Sequence, residues 1–352
     1  MGLFLSLCCG KLPLVPFMQK TKKFRWAGWV FLIASLVFGS QSVRAQDHQF
    51  TQFYASPLYM NPAFAGTTPH FRFAAIYRNQ WPNIPGAYQS MQASLDYNWD
   101  YYDTGIGVLL SHNRVGGPGL VNTSANFFYS YQININRSWA ARLGLNAGIG
   151  FTSIDLNRLT FEDQLINGGP TAEQLSQRPL ITPNFGVGGT IYSRQFWFGA
   201  AAHNLTRPQR SFLSPDERQA IRFTVQTGVK IPLDGQGEDA KVSLSPAALY
   251  QAQGIYDQLD LGVNFFYEPM IMGVWYRGIP IQQNIRGNPN QDMLAGLIGV
   301  KFGNWTVTYS YDITFSSLNN SGGAHEVSLI YAPKYDQRRK RGTKHINCPM
   351  FF

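Results

Sequence analysis

Apolar and polar side chains alternate almost without error from Asn122 to Thr152. The apolar positions of the first half are Thr123, Ala125, Phe127, Tyr129, Tyr131, Ile133 and Ile135, and the polar ones are Asn122, Ser124, Asn126, Ser130, Gln132, Asn134 and Asn136. The pattern resumes after Arg137-Ser138 and continues to Thr152. Because successive side chains of a strand point to opposite faces, this period predicts two strands joined by a tight turn, an antiparallel hairpin.

The two faces of this hairpin differ in a way that is typical of membrane strands. The polar face carries amides, hydroxyls and glycine with hardly a charge, and the apolar face is rich in aromatic residues. A transmembrane β-barrel strand has lipid on one side and a wet lumen on the other, which produces this contrast. Each run also exceeds the roughly 9–11 residues that a tilted strand needs to cross the hydrocarbon.

The same pattern recurs along the chain and predicts an all-β fold, a transmembrane antiparallel β-barrel of about 14 strands. The predicted strands cover residues 70–80, 87–99, 104–113, 121–136, 138–153, 182–193, 195–205, 220–232, 240–251, 257–268, 270–277, 291–303, 304–314 and 323–332. Connections after even-numbered strands are mostly short, and the two longest, 154–181 and 206–219, follow odd-numbered ones. Short periplasmic turns and longer outer loops are usual in such barrels, so we expect both termini in the periplasm of an outer-membrane protein.

The regions flanking the barrel divide the chain into four parts. Residues 1–45 combine lysines, an apolar run and a Val43-Arg44-Ala45 ending, which predicts a signal peptide with Met18 as an alternative start. Residues 46–69 have no clean period but five aromatic side chains, which favours a plug-like segment over a disordered leader. Residues 70–332 form the predicted barrel, and 333–352 a basic periplasmic tail.

Charge and cysteine content exclude several classes of function. Charged residues make up 14% of the chain, below the roughly 25% of soluble proteins. The net charge of +9 is concentrated at the two ends, so the barrel has no basic surface for nucleic acid. Cys348 is the one cysteine outside the predicted signal peptide, which excludes an internal disulfide. His203 and His325 lack a carboxylate or cysteine at ligand spacing, and we expect no enzyme activity, metal or cofactor.

Several short motifs, in this order, carry a resemblance to a known family. They are QFTQFYASPLYMNPAFAG (49–66), RNQW (78–81), LTFEDQL (159–165), HNLTRP (203–208) and the Cys348-Pro349 ending. The chain resembles the PorP/SprF family of Bacteroidetes outer-membrane proteins. The resemblance implies a part in type IX secretion and, in gliding species, motility. Such proteins assist export or surface attachment of large adhesins with C-terminal sorting domains, and they associate with periplasmic and outer-membrane components.

Two alternatives to this function remain open. The NPA run (61–63) also resembles one in FadL-like barrels, which would make the protein a transporter of small hydrophobic molecules. The other alternative is a secreted soluble β-protein.

The candidate sites are partner-binding regions. We expect residues 57–66 to occlude the barrel and to contact partners from the periplasmic side. We expect the two long outer loops to contact the exported adhesin, and the basic cluster of the tail to bind periplasmic machinery. The apolar face should contact outer-membrane lipid. The basic cluster could equally be a solvated charge group. The residues concerned are Pro57, Asn61, Pro62, Phe64 and Gly66 in the plug-like segment, Glu162, Asp163 and Arg207 in the outer loops, and Arg338, Arg339, Lys340 and Arg341 in the tail.

Overall fold

The computed structural model describes residues 47–116, 119–155, 162–167, 179–209, 212, 218–234, 240–283, 289–315, 321–333, 346 and 348–349. All of them belong to one of two compact units of the chain, Arg44–Phe352. Among these residues, no helix is both long and apolar enough to cross a lipid bilayer.

The described residues form 14 antiparallel strands, named β1 to β14 in chain order. Their bounds are Phe71–Gln80, Tyr88–Trp99, Thr104–Val115, Leu120–Asn134, Ala140–Ser153, Leu180–Tyr192, Phe196–His203, Arg222–Val229 (continued by Ile231–Pro232), Val242–Gln253, Tyr256–Tyr267, Met270–Gln283, Pro289–Phe302, Trp305–Thr314 and Ala324–Tyr331. Two short helices, α1 (Pro57–Met60) and α2 (Glu162–Asn167), lie outside the sheet. 3₁₀ turns cover Phe53–Ala55, Pro62–Phe64 and Asp100–Tyr102.

The sheet closes on itself. Each strand pairs with its neighbours in sequence, and β14 pairs with β1 through a register that sets Tyr331 opposite Phe73. A closed barrel has no free strand edge. The predicted transmembrane antiparallel barrel of about 14 strands is confirmed.

Strand β4 shows how the two faces are used. Tyr129 and Tyr131 are 42% and 48% exposed on the outer surface, whereas Ser130 and Gln132 are 0% and 2% exposed inside. The outer surface of the barrel is therefore apolar and aromatic, and its interior is polar, as a membrane barrel requires. Phe128 is an exception, because it points inward and packs in a small cluster with Leu58 and Leu109.

Strands β11 and β12 are longer than the pattern predicted. We expected 270–277 and 291–303 with a long loop between them, but the strands run to Gln283 and start again at Pro289. The register between them shifts at Gly278, whose φ is +144°, and again after Ile279. Glycine and proline in this stretch resemble loop signals, yet β-bulges accommodate both residues within a strand.

The two ends of the barrel differ in the length of their connections. At one end, the turn end, the strands are joined by connections of two to nine residues, 100–103, 135–139, 193–195, 233–241, 268–269 and 303–304. At the other, the loop end, the connections between strands span 81–87, 116–119, 154–179, 204–221, 254–255, 284–288 and 315–323, and two of them are much longer than any at the turn end. β1 starts and β14 ends at the turn end, as expected for an even number of strands.

The interior carries more charge than the sequence pattern indicated. Nine charged side chains of the strands are buried inside the barrel, namely Arg72, Arg78, Arg142, Arg222, Arg277, Asp96, Asp260, Asp312 and Glu326. The pattern of the β4–β5 hairpin indicates a polar face with hardly a charge, and the other strands carry most of these nine side chains. Buried charges need partners, and most of these find one in another strand or in the segment that fills the lumen.

Candidate functional site

Residues 47–69, here called the lumenal segment, cross the interior of the barrel from one end to the other. At the loop end, the Asp47 N–H donates to Gln253 Oε1 (2.9 Å), and the Asp47 carboxylate accepts a hydrogen bond from Asn204 Nδ2 (2.9 Å). At the turn end, the carbonyl of His70 accepts from the N–H of Asn98, next to the last residue of β2 (2.7 Å). The lumenal segment therefore runs through the barrel from the loop end to the turn end.

This path bears on the predicted placement of the termini. We expected both termini of the mature chain on the periplasmic side; Asp47 lies at the loop end, and which end faces the periplasm stays a prediction. Ile346 and Cys348 lie among side chains that include Tyr192, the last residue of β6 at the turn end. The prediction considered only where β1 begins. A segment of this length reaches well beyond the roughly 25 Å height of the apolar band, at about 3.3 Å per extended residue.

A cluster of three buried charges holds the first part of the lumenal segment. The Glu326 carboxylate accepts from the backbone N–H groups of Thr51 (3.0 Å) and Gln52 (2.6 Å). Arg78 Nη1 lies 2.7 Å from an Asp312 oxygen and 2.9 Å from a Glu326 oxygen. The Thr51 hydroxyl donates to Asp312 (2.8 Å) and accepts from Arg78 (3.0 Å). Charge-assisted hydrogen bonds of this kind are stronger than neutral ones, so this carboxylate cluster anchors the segment to β1, β13 and β14.

The middle of the lumenal segment lies against a wall of glycine. Asn61 caps the 3₁₀ turn through its Oδ1, and its Nδ2 donates to the carbonyls of Gly189 (3.0 Å) and Ala200 (3.2 Å). A Cβ at Gly144 would lie 2.3 Å from the backbone of Pro62 and Ala63. Only a residue without a side chain permits this approach. The glycines of the inner face therefore make the space in which the segment packs.

Polar side chains of the wall satisfy the carbonyls of the lumenal segment. Ser130 donates to the Ala65 carbonyl (2.7 Å), and Arg142 donates to the same oxygen. The Gly66 N–H donates to Asp96 (2.9 Å), which also pairs with Arg72 (2.9 Å). Gly66 has a φ of +64°, which glycine adopts without strain.

The carbonyls of α1 bind the opposite side of the wall. The Met60 carbonyl accepts from the Thr224 hydroxyl (2.8 Å) and is 2.9 Å from His203 Nε2. Arg222 donates to the Tyr59 carbonyl (2.9 Å) and lies 4.0 Å from the centre of the Tyr59 ring. Backbone groups buried in a lumen need such partners because water is largely excluded from them.

An aromatic cluster closes the turn end. Phe53 meets the Trp275 ring edge-on, with 4.7 Å between ring centres. Ile346 and Cys348 of the C-terminal tail are buried in the same cluster. Burial raises the pKa of the Tyr54 hydroxyl in this cluster above its usual range. The tail therefore contributes apolar side chains to the core of the barrel.

A cavity of about 720 Å³ lies above the lumenal segment on the loop-end side, and we call it the vestibule. Tyr59 of the segment lines it from below, Asp47 lines it at the loop end, and Trp81 and Tyr88 line it near the loops. Amide and hydroxyl side chains are the commonest group in the rest of the lining, which also holds apolar side chains and three arginines. Within the described part of the chain, no group of three His, Cys, Asp or Glu side chains could hold a metal ion.

Comparison with protein families identifies the chain. The model of the type IX secretion system membrane protein PorP/SprF matches residues 42–331, a range that contains all 14 strands and the lumenal segment. The chain belongs to the PorP/SprF family. It is thus an outer-membrane barrel of the type IX secretion system.

Solved structures similar to this PorP/SprF barrel are other outer-membrane barrels. The P. putida toluene transporter TodX is 10% identical with a TM-score of 0.47, over 78% of this chain and 93% of that one. The Acinetobacter baumannii outer membrane protein Omp33 is 6% identical with a TM-score of 0.42, over 76% and 99%. BamA from Haemophilus ducreyi is 7% identical with a TM-score of 0.41, over 74% and 69%. Likeness at this level carries no information about cargo. No curated protein matches the sequence.

The residues predicted to bind partners lie in three different settings in this PorP/SprF chain. Asn61 and Phe64 are fully buried, and their neighbours Pro57, Pro62 and Gly66 are also enclosed by the wall. These five residues lie inside the barrel, and their occluding role stays a prediction. Their predicted contact with partners from below stays a prediction, and in this structure the barrel wall covers them.

The other predicted residues lie in the loops and the tail. Arg207 is exposed at the loop end with a φ of +47°. Glu162 and Asp163 begin α2. Arg338, Arg339, Lys340 and Arg341 lie outside the described residues. Partner binding by all of them stays a prediction.

The wall residues that hold the lumenal segment were not among the predicted sites. Glu326, Arg78 and Asp312 occupy inward positions of their strands, which the alternating pattern could have indicated. A charge at an inward position of a barrel strand needs a partner inside the lumen. That rule would have selected these residues as contacts of the plug-like segment.

Proposed function

We propose that this barrel assists the export or the surface attachment of large adhesins with C-terminal sorting domains, as a plugged platform and not as a conduit. Membership of the PorP/SprF family supports the part in type IX secretion. The observation that carries the platform mechanism is the filled lumen. The lumenal segment makes hydrogen bonds to the wall at Asp47, Thr51, Gln52, Asn61 and Gly66.

A filled lumen leaves the two ends of the barrel as the surfaces for partners. The loop end, which we propose faces outside, holds the two longest connections, 154–179 and 204–221, with the exposed Arg207. The turn end and the basic tail would meet periplasmic components. An adhesin attached at the loop end does not require the lumenal segment to move.

Transport of small hydrophobic molecules is less well supported. A site for such molecules is lined mainly by apolar and aromatic side chains. Asparagine, glutamine, serine and threonine are the commonest residues in the lining of the vestibule, and apolar side chains such as Leu109 and Phe128 lie among them.

A reversible disulfide between the lumenal segment and the wall tests whether the barrel acts as a platform or as a conduit, because only a conduit requires the segment to move. A Cβ built at Gly188 lies 3.0 Å from Asn61 Cγ, so cysteines at both positions would have Cβ atoms within the range of a disulfide. Asn61→Cys with Gly188→Cys, in a Cys348→Ser background, would therefore cross-link the segment to β6 under oxidising conditions. Adhesin display is measured by protease shaving of intact cells and mass spectrometry of the released sorting-domain proteins.

We expect the oxidised and reduced forms of the double variant to display the same amount of adhesin. Each single cysteine variant serves as the control for the substitutions themselves, and a strain without the barrel sets the baseline. A fall in display on oxidation that reduction restores would show that the segment must move, which contradicts the platform mechanism. Full display without the barrel would contradict the proposed function altogether.

A further inference from the structure

The vestibule has the size of a ligand site and a closed floor. Its volume of about 720 Å³ lies within the roughly 300–1,000 Å³ of small-molecule sites. The lumenal segment closes it below, where Tyr59 hydrogen-bonds the His48 carbonyl (2.6 Å) and stacks on the His48 ring (4.7 Å between ring centres). A molecule that enters from the loop end would thus stay in the upper part of the barrel.

One side of the vestibule carries many uncharged hydrogen-bonding groups, with Leu109, Val115 and Phe128 at its margins. It is built from inward positions of β3, β4 and β5, among them Asn113, Asn122, Ser124, Asn126, Asn146 and Thr152. Asn122 donates to Thr152 (2.8 Å), and Ser124 is 2.7 Å from the hydroxyl of Ser111. Amides and hydroxyls both donate and accept hydrogen bonds, so the wall suits a ligand that does the same.

Two amide oxygens of this wall, those of Asn113 and Asn146, are buried without a hydrogen-bond partner in the described residues, and one of them, Asn146 Oδ1, packs against Gly186. Both residues line the vestibule and are more than nine-tenths buried. Buried polar atoms without a partner are rare in folded proteins and are often found where a ligand or water binds.

The opposite side of the vestibule offers little net charge. Arg78 is paired with Asp312 and Glu326, and Arg277 is 2.7 Å from an Asp260 oxygen. These two arginines are neutralised by carboxylates and offer no unbalanced positive charge to a strongly anionic ligand. Arg222, which also lines the vestibule, is directed to the Tyr59 carbonyl and ring. A hydrophobic ligand would leave the amide wall without partners, which costs about 1–3 kcal/mol for each buried group.

A peptide is also poorly matched to this site. Extended peptides commonly bind by adding a strand to a free sheet edge. The closed barrel has no such edge, because β14 pairs with β1. Trp81 and Tyr88, whose rings meet edge-on at 5.2 Å, instead present aromatic surface to the cavity, on which the apolar face of a sugar ring can pack.

We propose that the vestibule binds a neutral oligosaccharide, either free or as the sugar part of a surface glycolipid. Sugar hydroxyls would pair with the amides and hydroxyls of β3, β4 and β5, and a ring would pack on Trp81 or Tyr88. The inference does not depend on the adhesin function. A barrel that displays adhesins normally but binds no sugar would refute this inference alone.

The test uses the full-length barrel, purified in a detergent without a sugar head group, and isothermal titration calorimetry. The probes are a series of neutral glucose oligomers, the delipidated polysaccharide of the producing cell's own outer membrane, and the intact glycolipid. Ser124→Trp fills the vestibule from its polar wall. Ala125→Trp adds the same side chain on the lipid-facing side of the same strand and is the matched control. Heat-modifiable migration on gels checks that both variants fold.

We expect at least one saccharide probe to bind with a stoichiometry of one, at least tenfold more weakly to Ser124→Trp and unchanged to Ala125→Trp. Binding of the delipidated polysaccharide equal to that of the glycolipid would indicate the free sugar, and a preference for the glycolipid would indicate the anchored one. The inference is overturned if no saccharide binds, if both tryptophan variants bind equally, or if a neutral peptide of serine, glycine and asparagine binds more tightly than every saccharide.

Discussion

Glu326 is the wall residue whose loss should release the lumenal segment most directly. Its two carboxylate oxygens accept three hydrogen bonds, from the N–H groups of Thr51 and Gln52 and from Arg78. In Glu326→Gln, one of the two acceptor oxygens becomes an NH₂ donor. At least one buried donor then faces another donor, whichever way the amide is turned.

The size of the effect follows from these contacts. A buried donor without an acceptor costs about 1–3 kcal/mol. Breaking a buried ion pair costs about 3–5 kcal/mol, and Arg78 keeps Asp312 at 2.7 Å, so part of this cost is avoided. A net loss of about 3 kcal/mol for the seated segment would raise the population of the displaced state by roughly 100-fold.

Conductance in planar lipid bilayers measures this population, because displacement of the segment opens the lumen. We expect the wild-type barrel to be nearly silent and Glu326→Gln to show frequent opening events. Asp257→Asn is the matched control, since it removes the same charge at a position that is partly exposed near the loop end. If Glu326→Gln conducts no more than the wild type or this control, the carboxylate cluster does not hold the segment.

Three further predictions concern the wall, the path of the lumenal segment and the tail. Gly144→Val should leave a folded barrel with a protease-sensitive lumenal segment, because its Cβ would lie 2.3 Å from the backbone of the segment. Gly296→Val is the control and should leave the segment resistant to protease, because no atom lies within 4 Å of its Cβ. Equal proteolysis of both variants would refute the packing argument. In a Cys348→Ser background, His48→Cys should react with a membrane-impermeant maleimide on intact cells, and His70→Cys should not react. Labelling of His48→Cys only after permeabilisation would mean that the loop end faces the periplasm. Deletion of 334–352 should leave a heat-modifiable barrel of lower thermal stability, since it removes Ile346 and Cys348 from the aromatic cluster. The deletion should also impair adhesin display. Normal display by the truncated protein would show that the tail has no part in this function.

The barrel could be predicted from the sequence because the alternation of polar and apolar residues within each strand reflects the immediate surroundings of each side chain. In β4, alternate residues meet lipid or lumen, so Tyr129 and Ser130 carry the signal of their own environments. The alternation repeats along the chain, and connection lengths then separate the two ends. The bulged stretch of β11 was missed because Gly278 carries the local signals of a loop while its pairing with β12 continues.

The candidate site depended on contacts that no local pattern contains. Glu326 and Thr51 are 275 positions apart, and Asp47 and Gln253 are 206 apart. The sequence by itself determined the strands, the faces and the family. Only the tertiary structure decided that the lumenal segment runs from the loop end to the turn end, and that buried charges and glycines of distant strands hold it. Closure of the sheet brings those strands around a common interior. The residue type at each inward position then depends on the part of the lumenal segment that it contacts.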